Sequence, residues 1–198
     1  WRNIMSLLPY ASLTHRRKAY RAGDVVLLSS QTASNSASIA FTSDITSTYG
    51  EYIFRFYNIH PETDNTHFQF QASADGGSNY NLSVVTTYFQ SYHTEADDAA
   101  TMSYVASQDH VGTSYFALNH TVGADNDQSV AGELHLFNPA STTYAKQFHS
   151  RTIGNASSDY ANEGFVGGYF NTTSAIDAVS FKEASGNING TIKMWGVK

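Results

Sequence analysis

The chain has 198 residues, of which 41% are hydrophobic, 14% aromatic and 14% charged, with 14 glycines, three prolines and no cysteine. This composition excludes a disulfide scaffold, Cys-ligated zinc and a thiol nucleophile. Its aromatic content argues against disorder, and its length is enough to bury a real core. The formal net charge of −6 is unevenly placed: residues 1–23 carry five bases and no acid, +5, while residues 24–198 carry six bases against 17 acids, −11.

Residues 1–23 therefore read as a basic arm. Trp1 does not read as a natural start, and Ile4–Leu8, which holds Ser6, reads as too short for a secretory leader. Ser6–Arg21 could form one short helix. Arg16, Arg17, Lys18 and Arg21 are the candidate docking residues. They read either as a solvated arm or as a contact to an acidic partner. Without an aromatic platform they are a weak nucleic-acid signal, and the acidic body would repel a polyanion. Docking on another protein is the favoured reading.

Residues 24–198 read as one domain of strands separated by polar turns. Asp24–Ser29 contains the apolar run Val25-Val26-Leu27-Leu28. Ala37, Ile39 and Phe41 alternate with polar or small neighbours, and Tyr52, Phe54 and Phe56 share one side of the next strand. Phe68, Phe70 and Ala72 repeat the pattern. Asp75-Gly76-Gly77-Ser78-Asn79 then supplies residues that tolerate positive φ, as a hairpin closure requires. Further strands are expected at Asn81–Ser91, Thr101–Ala106, Ser114–Leu118, around Leu134 and Leu136, and at Tyr144–Arg151 and Phe165–Phe170. Thr172–Val179 reads as a helical turn, and Ile188, Ile192 and Met194 mark the last strand. About a dozen short strands with period-two patterning predict an all-β, antiparallel two-sheet β-sandwich, jelly-roll-like, with a short N-terminal arm.

Motifs for chemistry are sparse. The sequence holds no Gly-x-Ser-x-Gly, no His-Glu-x-x-His and no Gly-Lys-Ser/Thr phosphate loop. His93, Glu95 and Asp97 are spaced to share a strand face, which would suit a metal, but they precede a loop and read more simply as a solvated strand end. Asp125-Asn126-Asp127 resembles the opening of a calcium loop, yet Val130 and Leu136 occupy the places an EF-hand needs for Gly and Glu. No metal, cofactor or catalytic residue is expected. Five Asn-x-Ser/Thr sequons, at Asn81, Asn119, Asn155, Asn171 and Asn189, read as coincidence in so polar a chain. Tyr88, Tyr92, Tyr104, Tyr115 and Tyr160 fall in or near loop-like segments and are the candidate glycan contacts. The competing reading is that tyrosine simply favours strands.

Several segments, in order, carry a resemblance. Ile45-Thr46-Ser47-Thr48-Tyr49 precedes the aromatic strand Tyr52–Tyr57, and Phe68–Phe70 leads to Asp75–Tyr80. Gly132–Pro139, Ser174–Phe181 and the ending Gly190–Val197, with Met194-Trp195-Gly196, follow. Together they resemble virion structural proteins of tailed bacteriophages, especially marine ones, found in tail fibres and other appendages. The resemblance spans residues 45–198 and rests on the order of degenerate motifs. It implies a non-enzymatic particle component, a tail fibre, appendage or capsid decoration protein. Such a component would contact other virion proteins and form a homo-oligomer, taken as a trimer. It would reside in virions assembled in the host cytoplasm, with no membrane contact and a host-surface glycan as a further ligand. The alternative function is a carbohydrate-binding module or a polysaccharide depolymerase domain, since paired carboxylates for glycoside hydrolysis are a spatial feature that sequence cannot mark.

Overall fold

Alternating side chains build strands along the whole described chain. The structure, a computed structural model, describes residues 24–198. The candidate docking residues Arg16, Arg17, Lys18 and Arg21, and the helix expected over Ser6–Arg21, lie outside the described residues. Thirteen strands follow in order: β1 (Val25–Ser36), β2 (Ile39–Phe41), β3 (Glu51–Pro61), β4 (Phe68–Ser73), β5 (Val84–Thr94), β6 (Ala100–Tyr104), β7 (Val111–Gly112), β8 (Phe116–Ala117), β9 (Val130–Phe137), β10 (Lys146–Ala156), β11 (Tyr160–Phe170), β12 (Ala178–Glu183) and β13 (Ile188–Val197).

They form two antiparallel sheets packed as a β-sandwich. The larger has the order β1-β13-β3-β9-β10-β11-β5-β6, with β7 also on β5; the smaller is β2-β12-β4-β8. The chain crosses between sheets repeatedly, so strands adjacent in sequence often lie in different layers. Only one face of the large sheet is covered by the small one. Along β3 the covered side carries Tyr52, Phe54 and Phe56, all buried, while Arg55 points away and is exposed. Phe181 of β12 sits at the centre of the core, with the rings of Phe41, Phe54, Phe56, Phe68 and Phe70 at centroid distances of 5.0 to 6.4 Å. Edge and stacked geometries at these separations add to the gain from burying the rings.

Three sequence expectations are corrected. The first strand does not stop at Ser29 but runs to Ser36, because polar residues can pair through their backbones. Ser30 to Ala33 lie opposite Lys193 to Gly190, and the Thr32 and Thr191 hydroxyls hydrogen-bond at 2.9 Å. Gly76 and Gly77 do adopt positive φ, 72° and 82°, but they close no hairpin. They carry the chain from β4 in the small sheet to β5 in the large one. A Cβ on Gly77 would stand 2.7 Å from the Tyr80 hydroxyl and 2.9 Å from the Thr42 methyl, so the crossing needs glycine for space as well. Residues 172–177 form no helical turn, and Val179 belongs to β12.

Candidate functional site

The five tyrosines singled out by sequence do not form one platform. Tyr88 lies on the covered side of β5 and is fully buried, with its hydroxyl out of solvent and without a hydrogen-bond partner. It is a core residue and cannot contact a glycan. Burial also pushes its hydroxyl well above the usual tyrosine range. Tyr92 and Tyr160 face each other at one end of the sandwich, centroids 5.4 Å apart, and the Tyr160 hydroxyl bonds that of Thr121 at 3.0 Å. Tyr104 stands on the opposite face of the large sheet, exposed, and donates to Asp109. Tyr115 packs near Tyr80 and under the Lys182 ammonium.

The acidic candidates are local turns. His93 pairs with Asp97 at 3.0 Å, and both are solvated. Asp125 closes a turn by accepting from the Gln128 amide at 2.8 Å. Among the described residues no three His, Asp or Glu side chains are grouped to hold a metal ion. Of the sequons, Asn119 is buried, its carbonyl accepting from Phe68 N at 2.7 Å, so it is structural.

One buried acid has a measurable consequence. Glu183, on the same side of β12 as Phe181, holds both carboxylate oxygens out of solvent without hydrogen-bond partners. Burial pushes its carboxyl up to about 8. The folded chain therefore keeps a proton that an unfolded chain gives up above 4.5. Stability from this group is fully present below that value and is lost as pH rises toward about 8, at roughly 1.4 kcal/mol per pH unit. Glu183→Gln should remove that loss. Urea melts at pH 5 and pH 8 should show the variant gaining on the wild type at the higher pH; parallel profiles would rule this out.

The segments that carry the sequence resemblance interlock at one end of the sandwich. Tyr52 donates its hydroxyl to Thr46 O at 2.9 Å and accepts from Thr46 N at 2.7 Å. Asn138 N donates to Gly50 O, Gly50 N to Val197 O, and Ile176 N to Pro139 O, at 2.7, 3.1 and 2.8 Å. Gly76 N bonds Asp177 at 2.9 Å. Asp75 is held down to about 2, first by the Ser73 hydroxyl and then by Asn79. Tyr49 lies so close to Gly196 that a Cβ there would stand 2.6 Å from its ring. These bonds join loops to the sheets at this end. A shallow depression of about 570 Å³, lined by Tyr49, Asn138, Ser141 and Tyr144, opens beside this end.

The feature that sequence missed is the uncovered face of the large sheet. Ten large apolar side chains are exposed among the described residues, and the strand register places nine of them on this face; Tyr144 is the exception. One row across the strands reads Lys193, Arg55, Glu133, Arg151, Phe165, Phe89 and Tyr104. Phe89 and Phe165 stack with centroids 4.7 Å apart. Arg151 lies 5.5 Å over Phe165, Arg55 5.9 Å over Trp195 and Lys193 5.3 Å over Tyr57. Glu133 pairs with Arg55 at 3.5 Å, Glu163 with Arg151, and Glu51 with His135. His135 stacks on His149 at 4.6 Å. Burial first, and then His135, hold the His149 imidazole below its usual range. A sheet face that collects nearly all the exposed large apolar side chains still has apolar area to bury. No family model, curated protein or solved structure matches the chain.

Proposed function

We propose that the chain is a structural subunit of a tailed-bacteriophage particle, a fibre, appendage or decoration protein. It docks through its basic N-terminal arm and projects its acidic β-sandwich outward. The observation that carries this reading is the large sheet itself: one whole face is left uncovered by the second sheet and collects the exposed apolar side chains. A β-sandwich with such a face is suited to assembly, and its durability comes from sheet burial and subunit contact rather than cross-links. The ordered motifs support the same reading, since they serve to lock loops onto sheets. A glycan-binding module is the second reading. It is favoured by the Tyr92–Tyr160 pair and by a depression of about 500 Å³ lined by Tyr92, His93 and Glu163.

The test is the location of the chain. Mass spectrometry and labelling of purified particles should find it at a fixed copy number. A chain lacking residues 1–21 should melt like the full chain yet be missing from particles, since the thirteen described strands all lie within residues 24–198. Absence of the full chain from particles would refute the proposal. Loss of folding on that deletion would show that the arm belongs to the core.

A further inference from the structure

We infer that the uncovered face of the large sheet is where a second copy of this chain packs, an inference that rests on the subunit reading and names its contact surface. Charge is the first argument. Residues 24–198 hold six bases and 17 acids. The strands of the face carry three of those bases, Arg55, Arg151 and Lys193, and only three of the acids, Glu51, Glu133 and Glu163, with Asp109 and Asp97 at its rim bonded to Tyr104 and His93. It is a locally neutral region on an acidic body. A two-fold contact between identical copies places the same patch on both sides, so it must tolerate its own charges. This face does, whereas the remaining surface, with most of the acids, would repel itself.

Desolvation is the second argument. Closing a partner over a charge is costly when the charge has no mate. Here Glu133 and Glu163 each pair with an arginine within the face, Glu51 is hydrogen-bonded to His135, and each of the three cations already lies over an aromatic ring. The stacked imidazoles of His135 and His149 lie among them. Covering the face therefore strands no ionic group.

Area is the third argument. Eight strands about 4.8 Å apart, with about four rows of outward side chains roughly 7 Å apart, give about 1,000 Å² of nearly continuous sheet. A stable interface needs about 800 Å² from each partner. The patch is broad and shallow, which suits another sheet face better than a sugar, and its neutrality gives a nucleic acid nothing to hold.

The test uses the full 198-residue chain in sedimentation and light scattering. The wild type should associate. Phe89→Glu and Ile153→Glu, each adding a like charge on both sides of the contact, should weaken association about a hundredfold and give monomers. Both side chains are exposed, so the melts should stay close to the wild type. Tyr144→Glu, exposed but away from the face, should associate as the wild type does. A wild-type chain that stays monomeric up to about 0.1 mM overturns the inference. So does unchanged association of both face variants, or a monomer whose glycan binding is lost in Phe89→Glu. Particle composition separates this failure from that of the subunit reading. A chain present in particles but indifferent to the face variants defeats only the contact surface; a face-dependent oligomer absent from particles defeats only the phage assignment.

Discussion

Removing Gly190–Lys198 should leave no soluble, cooperatively melting protein. These residues form nearly all of β13, which lies between β1 and β3 and pairs with both. Without it β1 loses its sheet partner, and β3 becomes an open edge above a row of phenylalanines. Ile192 and Met194 are fully buried. Each such side chain contributes about 1.5–3 kcal/mol by burial alone. The hydrogen-bonded ladder on both sides of β13 is lost as well, and a whole domain is stable by only about 5–15 kcal/mol. Expression followed by a thermal melt checks this; a cooperative melt unchanged by the deletion would refute it. The milder Met194→Ala should leave a folded protein weakened by about 2–5 kcal/mol.

The largest single-residue effect should come from Phe181→Ala. Five phenylalanine rings from three other strands surround this side chain, drawn from both sheets. Truncation opens a cavity that rigid neighbours from two layers cannot easily fill. A loss of about 3–5 kcal/mol in denaturant unfolding is expected. Phe181→Leu, which keeps most of the volume, should lose about 1.5 kcal/mol or less. A loss below about 1 kcal/mol for the alanine variant would mean that the two sheets are held together elsewhere.

How far these features were legible in sequence depends on where their physics resides. Tyr52, Phe54 and Phe56 were readable as core because a half-buried strand writes burial into every second residue. The second half of β1 was not, because Ser29–Ser36 is held by backbone pairing at a sheet edge, which leaves no apolar trace. The turn chemistry of Gly76 and Gly77 was local and readable, but the strands it joins are chosen by long-range pairing. Tyr88 was misread because the covered side of β5 alternates Val84, Thr86, Tyr88 and Gln90, so polarity there does not mark the face. The candidate interface was invisible for a different reason. Leu27, Phe89 and Ile153 are far apart in the chain, and only the register of eight strands brings them onto one surface.

The same position of β13, between β1 and β3, sets a clock on folding. Val25 must find Val197, and Leu27 must find Trp195, across almost the whole described chain. Such non-local pairing is slow, because loop closure has to precede the contacts that reward it. During synthesis β1 waits without its partner while β3 to β12 are made, and the large sheet cannot close until the residues after Gly190 exist. Unpaired strands exposed in that interval are open to mispairing with other chains. Association through the completed sheet face would therefore discriminate by maturity, admitting only chains whose last strand has already slotted between the first and the third.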